Sequence, residues 1–186
     1  MGSLKPIAER EADGEAARVY AEIREALGIS FVPNFFKTLA NSPTALRGTW
    51  EAYRNASWRG SVPTVLKEMM FVAISSARKC HYCEVAHLAF CKLLGCDSQT
   101  RAALVEDLDL IIPRRSSDAV KFAVKAAMTP LDTDRADYER LRGHGITDAE
   151  IAEILAMTAF SMYATTLADA FHLSVDGEFQ QILASA

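Results

Sequence analysis

Within twenty residues the chain sets out a carboxylate, two thiols and an imidazole: Glu68, then eleven residues, then Cys80-His81-Tyr82-Cys83-Glu84-Val85-Ala86-His87. Cys80 and Cys83 are three apart, and His87 follows Cys83 by four. On a helix, positions i, i+3 and i+7 share one face, and an i,i+4 pair lies within side-chain reach. His87 is therefore placed to take the proton of the Cys83 thiol or to stabilise its thiolate. A helix that starts near Cys80 puts both sulfurs at its N-terminus, where unpaired N–H groups and the positive end of the dipole favour an anion. Arg78 and Lys79, just upstream, add positive charge in the same sense. Glu68 falls in the preceding helical segment. With the two helices packed antiparallel, its carboxylate would orient His87 as the third member of a triad orients the base.

Such a set suits a two-thiol cycle. A thiolate attacks a peroxide and becomes a sulfenic acid. A second thiol within reach condenses with that sulfenic acid to a disulfide and guards against over-oxidation. An i,i+3 pair at a helix start brings two sulfurs close enough for this.

Two other readings stand beside it. Cys80, Cys83, His87 and Cys91 are all zinc-ligand types. Cys80 and Cys91 are eleven residues apart, about 16 Å along one helix, against a Zn–S bond of about 2.3 Å. One unbroken helix cannot bring all four to one ion, which leaves a zinc site of Cys80, Cys83 and His87 with Glu68 as fourth ligand. The other alternative is a non-catalytic helical oligomer with thiols of ordinary reactivity. Cys91 and Cys96 are expected as buried core thiols. His81 is expected near the surface, and His144 and His172 lack an identifiable partner. Asp169 near His172 suggests a helix-end ion pair, and Arg114-Arg115 a solvated loop pair.

The segments that must hold these residues read almost throughout as helix. Asp13 caps a helix that stops at Gly28. Ser42-Pro43 opens a second, running to about Trp58. Pro63 opens a third to about Arg78, and a fourth runs from near Cys80 to Gly95. Shorter helices follow from Ser98 to about Asp107, from Ser116 or Ser117 to before Pro130, and from Thr133 to Gly143. Thr147-Asp-Ala-Glu150 is a capping box before a long apolar helix to about Phe171. Sustained apolar/polar alternation is absent, so no sheet is expected. The fold class is all-α: one domain over 1–186, a bundle of about eight helices. Within it, 1–30 form an N-terminal helix and arm, 31–130 the catalytic core and 131–186 the C-terminal helices. Phe31, Phe35, Phe36, Trp50, Tyr53 and Trp58 cluster early, either as core or as a subunit interface.

Composition fits one domain with a sizeable core: 186 residues, 50% of them hydrophobic. A net charge of −4 gives no basic surplus for a phosphate backbone, so no nucleic-acid partner is expected. No unbroken run of about 18 apolar residues suggests a membrane span, and residues 1–7 lack an apolar signal core. A cytoplasmic protein is expected. Thiols are normally reduced there, so a close cysteine pair reads as catalytic or metal-binding.

The pattern Glu-x11-Cys-x-x-Cys-x-x-x-His across a helix pair resembles the active-site signature of the AhpD-like alkylhydroperoxidases, within the carboxymuconolactone decarboxylase superfamily. Val32-Pro-Asn-Phe-Phe-Lys-Thr-Leu-Ala-Asn-Ser-Pro43 is similar to the segment before the catalytic helices in the peroxidase-related branch. Gly145-Ile-Thr-Asp-Ala-Glu-Ile-Ala-Glu-Ile-Leu155 is similar to a recurring helix-opening phrase of the superfamily. The matches cover most of residues 30–170. The resemblance implies an all-α fold, a homo-oligomer (trimers or larger rings, with a dimer possible) and no metal or organic cofactor. It implies a hydroperoxide substrate and a thiol, lipoyl or thioredoxin-like reductant. It also implies Cys83 as the peroxide-attacking cysteine, Cys80 as the resolving and more exposed one, and His87 with Glu68 as the proton relay. Tyr82 stands where the AhpD type often has His, which points to the peroxidase-related branch and adds Tyr82 to the candidate site. Decarboxylase members lack the cysteine pair, which disfavours lactone decarboxylation.

Overall fold

The computed structural model describes residues 4–185. Among them are ten α-helices and no β-strand: α1 (Gly14–Leu27), α2 (Asn34–Leu39), α3 (Pro43–Trp58), α4 (Thr64–Ala77), α5 (His81–Leu93), α6 (Ser98–Glu106), α7 (Arg114–Met128), α8 (Arg135–Gly143), α9 (Asp148–Ala170) and α10 (Gly177–Ala184). The eight expected helices are present. The short α2 and α10 are additional. Sequence signals set several ends. Ser42 accepts the N–H of Ala45 ahead of Pro43. Thr147 and Glu150 form the reciprocal cap of α9.

Arg114 and Arg115 are solvated, as expected, but they are not in a loop. They open α7 directly after Pro113, Arg114 pairing with Asp109 and Arg115 with Glu150, each at 3.0 Å.

Two apolar clusters make the core. The first is aromatic and gathers α1, α2, α3, the front of α5, the back half of α9 and α10. The second is mostly aliphatic and gathers α4, α6, α7 and the front of α9. Phe31, Phe35, Phe36, Trp50 and Tyr53 are buried in the first, and Trp58 packs half-buried against it. These aromatics are thus core within one chain. By length and composition α9 is long and apolar enough to cross a bilayer; here half of its apolar window is buried inside the bundle.

Helix α4 is buried all round from Leu66 to Ser75, including Lys67 and Glu68. A buried lysine needs a partner. Lys67 meets Glu153 of α9 at 3.1 Å and also donates to the Arg59 carbonyl. Glu153 further accepts the N–H groups of Ser61 (2.8 Å) and Val62 (3.0 Å) and the Ser61 hydroxyl (2.7 Å). Burial pushes the Glu153 carboxyl up, but these donors win and hold it at about 2. Gly60 is required in that turn: its φ is +97°, and a Cβ there would run into the Glu153 carboxylate. The knot pins α4 to α9 and so fixes the depth at which Glu68 sits.

Candidate active site

The turn between α4 and α5 delivers the first cysteine. Lys79 donates its N–H to Ser76 and Cys80 its N–H to Ser75, both at 2.9 Å, a helix-ending pattern that needs a left-handed residue. Lys79 supplies it with φ 60°, a conformation that costs a residue with a Cβ about 1 kcal/mol. Cys80 then stands as the N-cap of α5, and its thiol points to the Thr165 carbonyl of α9 at 3.9 Å. Cys83 follows one turn later.

One turn beyond Cys83, His87 is tightly held. Its Nδ1 lies 2.5 Å from Glu68 Oε2. Its ring stacks on Phe71, with centroids 3.5 Å apart and planes at 13°. Glu68 is 0% exposed, and its other oxygen accepts from the Tyr53 hydroxyl at 3.3 Å. An imidazole that donates Nδ1–H to a carboxylate keeps Nε2 as its free lone pair. Cys83 and His87 line one small cavity of about 40 Å³, together with Tyr82, Phe35, Phe71 and Phe179.

Tyr82 closes another side. Its hydroxyl accepts the Phe35 N–H at 3.0 Å and donates to Asp176 at 2.9 Å. Asp176 also accepts the N–H of Asn34 at 2.9 Å. Burial first, then the neighbouring Asp176 charge, pushes the Tyr82 phenol well above its ordinary range; burial likewise raises the Asp176 carboxyl. The latch seats α10 over the cavity. Phe179 is fully buried there, edge-on to Phe31 (5.1 Å) and Phe90 (5.5 Å).

The thiols differ from expectation in two respects. Cys83 is pushed well above the ordinary thiol value, first by its hydrogen bond to Cys80, then by burial and by the Cys80 and Asp169 charges, with Arg78 opposing. A helix dipole contributes about 0.3–1 kcal/mol, at most about 2. Full burial moves a pKa by up to about 3–5 units, each unit being about 1.4 kcal/mol. The Cys80 hydrogen bond and burial together outweigh the dipole, and Cys83 rests as a thiol. Second, Cys80 is not the more exposed sulfur. It is 0% exposed against 3% for Cys83, and of the two only Cys83 lines the cavity.

The zinc arrangement is not assembled: among the described residues no three His, Cys, Asp or Glu side chains gather to hold a metal, and Glu68 is engaged by His87 Nδ1. His81 is exposed, and Cys91 and Cys96 are buried. His144 does have a partner, Asp118 at 2.7 Å. His172 forms no ion pair with Asp169; its backbone N–H donates to the Asp169 carbonyl at the end of α9. Tyr53, Phe71 and Asp176 complete the site and carry no local sequence signal for that role.

A helical bundle that sets a thiol and an imidazole against an apolar cavity, with a second thiol and a carboxylate buried behind them, defines a recognisable class. The carboxymuconolactone decarboxylase family matches residues 43–128. The fold superposes on the AhpD core of a peroxidase-related protein from Ralstonia eutropha JMP134 with a TM-score of 0.81 and 30% identity, covering 94% of this chain and 95% of that one. A peroxidase-related protein from Silicibacter sp. TM1040 gives 0.82 and 28%, covering 96% and 97%. The alkyl hydroperoxide reductase Rv2159c of Mycobacterium tuberculosis is 30% identical over 105 residues, 56% of this chain. The match spans only 30% of that relative's length. The chain belongs to the AhpD-like carboxymuconolactone decarboxylase superfamily.

Proposed function

We propose that the chain is a thiol-dependent peroxidase that reduces hydroperoxides through a Cys80–Cys83 dithiol/disulfide cycle with Glu68 and His87 as proton relay. The observation that carries this reading is the 2.5 Å Glu68–His87 contact beside a cavity that His87 shares with Cys83. The names of the relatives, a hydroperoxide reductase and peroxidase-related proteins, point the same way.

Because Cys83 rests as a neutral thiol, it needs a base at the moment of attack. His87 Nε2 takes the proton, and the Glu68 carboxylate supports the imidazolium that forms. The thiolate attacks the outer peroxide oxygen and the O–O bond breaks. The leaving alkoxide receives the proton from His87, and Cys83 is left as a sulfenic acid. The Cys80 sulfur attacks the Cys83 sulfur, the S–S bond forms, and hydroxide departs as water with the Cys80 proton. In sum, two thiols and a hydroperoxide give a disulfide, an alcohol and water. The apolar lining favours an organic hydroperoxide over hydrogen peroxide.

A dithiol donor of lipoyl or thioredoxin-like type returns two electrons by thiol–disulfide exchange. With Cys80 sealed and Cys83 facing the cavity, a slender lipoyl arm fits better than a protein thiol. Tyr82 acts as a positioning residue, since its hydroxyl is already engaged on both sides. We place the cycle in the reducing cytoplasm and in a homo-oligomer, as the family resemblance implies.

Steady-state turnover of an alkyl hydroperoxide with a dithiol donor tests the assignment. Cys83→Ser removes the turnover carried by this pair. Cys80→Ser leaves Cys83 at a sulfenic acid that dimedone traps. Undiminished turnover by Cys83→Ser contradicts it.

A further inference from the structure

The far end of α5 holds two more thiols. After Leu93 the chain turns through Leu94 and Gly95, whose φ is +82°. Gly95 donates its N–H to Lys92 at 3.0 Å and Cys96 its N–H to Cys91 at 2.9 Å. In this kind of helix end the sixth residue folds back over the first, and their side chains touch, usually as two apolar groups. Here both are cysteines. The Cys91 and Cys96 thiols are electrostatic neighbours, and the Cys96 thiol also points to the Asp97 carbonyl at 3.9 Å. Cys91 is 0% exposed and Cys96 8%. Arg101 of α6 donates to the Cys96 carbonyl, so a guanidinium stands beside the outer sulfur.

We propose that Cys91 and Cys96 are a second redox couple, a dithiol that small hydroperoxides oxidise to a disulfide independently of Cys80 and Cys83. Cys96 is the attacking sulfur. It is the outer of the two and sits against Cys91 at the folded-back helix end; the Cys91 thiol lowers it, against burial and the Asp97 charge, with Arg101 also lowering it. The Cys96 thiolate attacks the peroxide, the O–O bond breaks, and the leaving alkoxide takes up a proton from water. Cys91 then attacks the Cys96 sulfenic acid, the S–S bond forms, and hydroxide leaves with the Cys91 proton as water. Cys83 and Cys91 are eight residues apart on one helix, about 12 Å along its axis. Direct exchange between the two pairs is therefore out of reach, and each is oxidised by its own peroxide molecule.

The test uses full-length Cys80→Ser/Cys83→Ser protein treated with excess hydrogen peroxide. Trypsin cuts after Lys92, between the two remaining cysteines, so a Cys91–Cys96 bond joins peptide 80–92 to peptide 93–101. The expected result is loss of both thiols, one such linked peptide pair per chain, and full recovery of the thiols with dithiothreitol. In that background Cys91→Ser leaves a dimedone adduct on Cys96. The same linked pair is expected from peroxide-treated wild type, which keeps the proposal testable if the double variant does not fold. Two thiols that stay alkylatable, or Cys96 oxidised with no bond to Cys91, overturn it. Because the double variant lacks the first pair, this result is separate from the fate of the peroxidase reading.

Discussion

Helix α5 carries a thiol pair at each end, and the two ends are built differently. At the N-terminal end Cys83 sits by an imidazole that a buried carboxylate holds, and it faces an aromatic-lined cavity. At the C-terminal end Cys91 and Cys96 lie in the mostly aliphatic cluster, with Arg101 donating to the Cys96 backbone. The helix dipole favours an anion at the first end and not at the second. The thiols follow the opposite order. Cys83 is pushed up by its bond to Cys80 and by burial, whereas Cys96 is lowered by the neighbouring Cys91 thiol. In the proposed cycle the first pair needs a base to start, and His87 is the imidazole that shares the cavity with Cys83.

The sharpest way to separate the two ends is to spoil that base. Glu68→Gln keeps the shape of the side chain but removes the charge that supports the His87 imidazolium. A positioned proton acceptor contributes about 10²- to 10⁴-fold. Glu68→Gln is expected to lower alkyl hydroperoxide turnover by about 10²-fold or more and to alter its pH–rate profile, with the rate of Cys96 oxidation unchanged. A smaller effect comes from the lid. Phe179→Ala leaves a hole beside Cys83 and is expected to destabilise the fold by about 3 kcal/mol, read by urea denaturation. It should also speed alkylation of Cys83 and leave Cys96 as it was. Equal acceleration at both ends would remove the distinction between them. The smallest effect lies in the two turns that present Cys80 and Cys96. Both need a left-handed residue, and one uses Lys79 where the other uses Gly95. Lys79→Gly is expected to stabilise the protein by about 1 kcal/mol and Gly95→Ala to destabilise it by about as much. No atom crowds the Gly95 position, so backbone strain alone acts there.

The helices announced themselves where a cap or a proline marked an end, as Ser42-Pro43 and Thr147 did. Six-residue α2 and eight-residue α10 are too short to show a periodic stripe, and they are held by tertiary contacts such as Asp176 with Asn34. Ser116 and Ser117 have the side chains of caps and suggest a later start for α7, whereas Pro113 takes the position before its first turn. Glu68 and His87 were legible because they lie on consecutive helices joined by a short turn. Tyr53 and Asp176 reach the site from helices far away in sequence, and Asp118 pairs with His144 across 26 positions; spacing along the chain says nothing of such partners. The raised Cys83 thiol was illegible for a related reason. Burial by α9 and α10 is a property of the packed bundle, whereas the dipole and Arg78 are visible locally.

Peptide mapping after one equivalent of an alkyl hydroperoxide tests the central claim most directly. Peptide 80–92 should lose two hydrogens with Cys80 and Cys83 joined, one alcohol should appear per disulfide, and a dithiol should restore both thiols. Peroxide left unconsumed, or consumed while Cys80 and Cys83 remain free thiols, would contradict the account.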